Sequence, residues 1–116
     1  MILTLIQVAL GGAVGSVLRY LTVMSAGAPL GTAIVNVAGS LAMGVLFVTL
    51  SSRTALSPLL MTGVLGGFTT FSAFSLDALK LWEAGQSLQA ITYIAGSVTL
   101  SLAAVALGAA LARSLI

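Results

Sequence analysis

Between Gly63 and Asp77 the chain reads G-V-L-G-G-F-T-T-F-S-A-F-S-L-D, with three glycines, four hydroxyls and three phenylalanines in otherwise apolar sequence. Glycines and hydroxyl pairs weaken a membrane helix, and irregular backbone at that depth persists only where protein or water satisfies it. Carbonyls and N–H groups freed at such a break are ready ligands for ions. Phe71 and Phe74 are three apart and share a face beyond the glycines. An aromatic ring is electronegative on its face and electropositive at its edge. Ring edges therefore suit a small anion and give a cation no strong acceptor. Packing alone would account for a phenylalanine pair, but it does not call for the flanking Thr69, Thr70, Ser72 and Ser75. Phe68 falls outside this spacing and reads as packing.

Other polar residues lie within apolar runs, where they are costly and usually face a bundle interior or a pathway. Asn36, in G-T-A-I-V-N-V-A-G-S, offers two N–H donors. These suit an anion, or glue to a neighbouring helix; beside the 69–75 cluster the anion reading is preferred. Tyr93, Ser97 and Ser101 stand at i, i+4 and i+8, a row of hydroxyls along one helix face. That row is either a line of donors or further helix–helix glue. Thr99 lies about half a turn off that face and reads as structural. Arg19 either snorkels to an interface or draws anions to a vestibule. Asp77 and Glu83 fall toward the end of the third apolar run, where interfacial water can solvate them.

The elements that must carry these residues follow from composition. Of 116 residues 59% are hydrophobic and 5% charged, and the mean hydropathy is +1.23. Soluble domains carry about 25% charged residues, so the chain reads as an all-α integral membrane protein. At about 20 residues per span it holds four helices, in a single transmembrane domain over 1–116. The first span runs from Ile2 to Val17, with a continuation to Met24, and Gly27 and Pro29 punctuate the loop Ser25–Leu30. The second covers Gly31 to Leu50. A loop carrying Arg53 ends at Ser57-Pro58, an N-cap followed by proline in the first turn. The third runs from Pro58 to Trp82, interrupted near Gly66-Gly67. Trp82, Glu83, Gly85 and Gln86 form the next loop, Ser87 caps the fourth span, Leu88 to Leu111, and Arg113 closes it. Small residues four apart (Gly11 and Gly15, Gly12 and Ser16, Ser40 and Gly44, Gly63 and Gly67) allow close helix approach.

Four spans place both termini and the second loop on one side. That side holds Arg53 and Arg113, the other Arg19 and Lys80. Two cations against two leave the positive-inside rule little to act on, so insertion in both orientations and an antiparallel homodimer are expected. So small a monomer has little interior for polar groups, which also favours an oligomer. Cysteine and histidine are absent, which excludes disulfides, thiolate metal sites and histidine proton shuttles. Four scattered cations make no nucleic-acid patch. No basic segment precedes the first apolar run, which therefore reads as a mature span rather than a cleaved signal.

Taken together, G-G-A-V-G-S-V-L-R-Y at Gly11–Tyr20, G-T-A-I-V-N-V-A-G-S at Gly31–Ser40 and G-G-F-T-T-F-S-A-F-S at Gly66–Ser75 resemble the bacterial fluoride ion channel family, known as Fluc or CrcB. The resemblance covers nearly the whole chain, and its third motif is the most specific. It implies a passive fluoride channel of the bacterial inner membrane, built as a dual-topology homodimer with two pores. Phe71 and Phe74 would line the pores by their edges, with Asn36, Thr70 and the Tyr93, Ser97 and Ser101 track as donors. Arg19 would stand near the vestibule. Gly66 and Thr69 would supply backbone carbonyls to a central structural sodium ion, a hard cation suited to oxygen ligands. Ala73, Leu41 and Asp77 depart from the family pattern, and Val105 implies that the hydroxyl track ends at Ser101.

No enzymatic role is expected. One alternative is a small proton-coupled multidrug exporter, which needs a membrane-embedded carboxylate; the first span has none. Another is a non-selective pore or scaffold, which accounts for the small-residue pattern but not for Thr69 through Ser75.

Overall fold

The computed structural model describes residues 1–50 and 54–116, and Arg53 lies outside the described residues. Helix α1 (Ile2–Ala26) is joined to α2 (Leu30–Thr49) by a three-residue link. The turn is tight because Gly27, at φ 80°, takes a backbone that other residues avoid. The third span is three pieces: α3 (Pro58–Leu65), α4 (Gly66–Phe68) and α5 (Ser72–Glu83). A second positive-φ glycine, Gly85, turns the chain into α6 (Ser87–Leu115). Four spans in this fold are long and apolar enough to cross a membrane.

Boundaries differ from the sequence reading in instructive ways. Ser87 is the first residue of α6 rather than its cap, a position held by Gln86. The first span runs on to Ala26, so Ser25 lies in the helix and not in the loop. Ser57 and Pro58 do open the third span, with proline in the first turn. The interruption, however, falls at residues 69–71 and not at Gly66-Gly67. Gly66 is helical, at φ −62° and ψ −37°, whereas Thr69 is extended at ψ 158°.

The glycines have another role. α1 lies along α3 and α4, and α2 along α6. A Cβ on Gly67 would sit 2.6 Å from the Gly12 carbonyl oxygen, and one on Gly11 2.9 Å from Gly63 Cα. Across the other seam, a Cβ on Gly44 would strike the Val105 carbonyl and one on Gly108 the Leu41 carbonyl. Lipid tails are as apolar as leucine, so helices associate in membranes through close packing rather than through the hydrophobic effect. The core is accordingly small: Val35, Leu65, Phe74, Ala90, Ala104, Ala109 and Ala112 are buried, while many leucines and isoleucines face outward. α3 is wound as a π-helix, a form rare in long runs and frequent at functional sites. It ends at Leu65, one short helix (α4) before the break at 69–71.

Candidate functional site

The break is held open by side chains from two neighbouring helices. Asn36, on α2, makes a two-point clamp with Thr70: its Nδ2 donates to the Thr70 carbonyl at 2.8 Å, and its Oδ1 accepts from the Thr70 N–H at 2.7 Å. Arg19, half-buried on α1, donates from Nε to the Gly67 carbonyl at 3.0 Å. The Thr70 hydroxyl accepts from the Ala73 N–H at 3.1 Å and so caps the start of α5. Both groups of the Thr70 peptide backbone that a helix would have paired internally are thus satisfied by one amide side chain.

Of the four hydroxyls in the segment, two are accounted for locally. Thr69 donates to the Leu65 carbonyl at 3.0 Å, and Ser75 to the Phe71 carbonyl at 2.8 Å. Ser72 lies 3.4 Å from the Thr70 hydroxyl. Packing of the rings does not call for these four residues, but three of them have local roles in the backbone: Thr69 and Ser75 bond back within the span and Thr70 caps α5.

Beside the break is an open cavity of about 500 Å³. It gathers Asn36, Thr70, Phe71, Phe74, Ser97 and Ser101, together with Gly66 and Thr69, so eight of the ten residues singled out by sequence line one space. Phe74 is 6% exposed and Phe71 75%, so the first ring forms a wall and the second stands at the open side. The rings are tilted at 44° with centroids 5.4 Å apart. Phe74 in turn meets Tyr93 at 5.2 Å and 48°. Tyr93 lies just beyond the cavity, and its hydroxyl donates to Asp77 Oδ2 at 3.3 Å. Arg19 is also outside the lining, on the far side of the Gly67 carbonyl.

Two polar contributors escaped the sequence reading. Ser40 lines the cavity, and Thr32, 1% exposed, is buried one turn before Asn36 on α2. Thr32, Asn36 and Ser40 are at i, i+4 and i+8, the same spacing as Tyr93, Ser97 and Ser101. The α2 row could have been found by the rule applied to the fourth span. Val105 does not line the cavity, and its carbonyl lies against Gly44 at the α2–α6 seam.

The chemistry on offer is that of neutral donors. Asn36 has a second N–H beyond the one given to Thr70. The hydroxyls of Ser40, Ser97 and Ser101 have no protein partner among the described residues, so their protons can turn toward an occupant of the cavity. Among the described residues, no charged side chain lines it. Such a site can replace part of the water shell of a small anion without the fixed cation that would trap it.

Fold and site together define a small multi-pass helical membrane protein with a polar cavity at a broken span. The sequence matches the family described as "CrcB-like protein, Camphor Resistance (CrcB)" over residues 6–109, and the chain belongs to that family. A protein of Paracoccus denitrificans (strain Pd 1222) named "Fluoride-specific ion channel FluC" is 54% identical over 119 residues, covering 97% of this chain and 96% of its own length. One of Cereibacter sphaeroides (strain ATCC 17029 / ATH 2.4.9) with the same name is 53% identical over 120 residues, covering 97% of each. Another, of Ruegeria sp. (strain TM1040), is 51% identical over 126 residues, covering 100% of this chain and 99% of its own length.

Proposed function

We propose that this chain is a fluoride-selective passive channel, and not an enzyme, that lets fluoride leave the cytoplasm across the bacterial inner membrane. The observation that carries the reading is the neutral, donor-lined cavity beside the broken span, with its unpartnered serine hydroxyls and the spare Asn36 N–H. The names of the full-length relatives supply the ion. Fluoride is small and strongly hydrated, so a selective path needs many donors in sequence. Ser101, Ser97 and Asn36, then the edges of Phe74 and Phe71, provide such a series. Conduction needs binding strong enough to admit the ion and weak enough to release it, which neutral donors satisfy.

Two finer features belong to the same proposal. The functional unit is an antiparallel homodimer with two pores, supported by the balanced cations and by the open side of the cavity, where Phe71 and Gly66 are exposed. A sodium ion is held at the dimer centre by the Gly66 and Thr69 carbonyls. The donor set fits a hard cation: these two oxygens lack the helical N–H partners they would have had, because Thr70 donates to Asn36 and Ala73 to the Thr70 hydroxyl. When bound, the ion supplies a fixed charge that ties the two broken spans together.

The test is efflux from liposomes reconstituted with purified protein, followed with fluoride and chloride electrodes after adding a potassium ionophore. Fast fluoride release with chloride retained is expected. Release of both ions would reduce the protein to a non-selective pore, and release of neither would end the channel reading. Labelling of a terminal tag in sealed vesicles is expected to reach only a fraction of the copies; a single orientation would rule out the antiparallel pair.

A further inference from the structure

In an uninterrupted helix the Thr70 N–H would bond to the Gly66 carbonyl, and the Ala73 N–H to the Thr69 carbonyl. Here each donor is diverted by a side chain. Asn36 Oδ1 takes the first at 2.7 Å, and the Thr70 hydroxyl takes the second at 3.1 Å. The oxygens released include those of Gly66 and Thr69. Gly67, which lies between them, is not released, because Arg19 Nε donates to its carbonyl at 3.0 Å. The Phe68 carbonyl, whose helical donor would be the Ser72 N–H, is likewise without a backbone partner among the described residues, so the break frees a set of oxygens of which the Gly67 one alone is taken by a charged side chain.

We infer that the Thr70 hydroxyl is a positioning residue for the cation: by holding the Ala73 N–H it keeps the Thr69 carbonyl available as a ligand. Asn36 does the same for Gly66. Because Asn36 also faces the anion cavity, one amide serves both the anion path and the cation site. This inference rests on the cation reading above and adds to it the side chains that create the ligands. It also gives Thr70 a second role, distinct from donating to an anion. Its hydroxyl oxygen accepts from Ala73 while its proton stays free to turn, toward Ser72 at 3.4 Å or toward the cavity.

The experiment is a sodium titration of thermal unfolding in detergent, in a lithium or potassium background, for the parent, Thr70→Val and Thr70→Ser. Valine keeps the shape of threonine and removes the acceptor, so the Ala73 N–H is free to draw Thr69 from its extended backbone (ψ 158°) into a helical turn and so withdraw its carbonyl. The sodium concentration at half-stabilisation should rise about 10- to 100-fold, the usual cost of losing an outer-shell partner. Serine should restore it to within about twofold of the parent, since it retains the acceptor that valine lacks. A mere loss of anion donation would lower fluoride flux at saturating sodium and leave this half-point unmoved. Should the valine variant fail to fold, Thr70→Ala removes the same oxygen without a branched replacement and must show the same shift. A parent that responds to sodium, with hydroxyl-less variants that respond at the same concentration, overturns the inference alone. A parent indifferent to sodium overturns the cation reading and the inference with it.

Discussion

Replacing Asn36 with leucine tests the clamp most directly, because the side chains are close in shape and only the polar atoms are lost. The parent amide makes two bonds to the Thr70 backbone, at 2.8 and 2.7 Å. Leucine leaves a backbone donor and a backbone acceptor without partners at a part-buried position beside the cavity. An unsatisfied buried group costs about 1–3 kcal/mol, so the pair sets an upper range of about 2–6 kcal/mol. Two effects lower it. Polar groups of a membrane protein find other partners in the unfolded reference state, and the Thr70 N–H can return to the Gly66 carbonyl if the helix closes over the break. A loss of about 2–3 kcal/mol is therefore expected, a factor of roughly 30–150 in the folding equilibrium. The assay is denaturant or thermal unfolding of the purified protein, run beside fluoride efflux from liposomes. Asn36→Asp refines it: the carboxylate still accepts from the Thr70 N–H, cannot donate to the Thr70 carbonyl, and puts negative charge against an anion path. It should keep part of the stability and lose the flux. An unfolding midpoint unchanged in the leucine variant would refute the clamp. Unchanged efflux in both variants would remove Asn36 from the pathway.

Gly44→Ala should destabilise the protein by about 1–3 kcal/mol, since its Cβ would strike the Val105 carbonyl and lie 2.8 Å from Ala109 N, both rigid backbone. Gly96→Ala is the control; nothing lies within 4 Å of its Cβ, and its unfolding midpoint should match or slightly exceed the parent's. Phe74→Ile should lower fluoride flux in the efflux assay while the assembled species on size exclusion is retained, because a branched aliphatic chain fills much of the space but has no electropositive ring edge. Undiminished flux would count against an aromatic wall. Arg19→Leu should cost about 1.5–3 kcal/mol, the range for a hydrogen bond to a charged group, measured as the shift in unfolding midpoint. Parent-like stability would mean that the bond to Gly67 contributes nothing and that Arg19 only reaches for an interface.

The four spans were legible because apolar length and Gly/Pro punctuation respond to the same bilayer that the fold must cross. The break was legible in existence but not in position. Sequence assigns it to Gly66-Gly67, on the sound ground that glycine weakens helices. In the fold Gly67 is needed for contact with Gly12. The chain opens instead at Thr69 and Thr70, where a hydroxyl and the amide of Asn36 can replace the missing helical partners. Weak propensity says where a helix is permitted to break; available partners decide where it does. The Arg19 contact with Gly67 spans 48 residues of sequence, and no local pattern encodes it. The cavity residues were found as a set because polar groups in apolar runs are few, whereas Thr32 and Ser40 were missed although they repeat the four-residue spacing around Asn36. The π winding of α3 has no signature in residue types that sequence reading could have used.

The features that look unfinished in a single copy are the ones that the proposed channel requires. A broken span exposes carbonyls, and the chain satisfies only some of them, with Arg19 on Gly67 and Asn36 on Thr70. Phe71 is 75% exposed at the open side of the cavity, near the exposed Gly66. Facing hydrocarbon, open backbone of this kind is not tolerated, so the open side must be covered by protein or filled by water. The four described spans, held together by glycine and alanine contacts, do not cover it. A second copy of the chain can, and a balanced distribution of cations allows that copy to insert inverted. Pairing about a two-fold axis would bring the unpartnered Gly66 and Thr69 oxygens of both copies toward each other, where mutual repulsion disfavours contact unless a cation lies between them. On this argument the proposed dimer, the proposed cation site and the anion path would share one cause, a helix broken where side chains could hold it open.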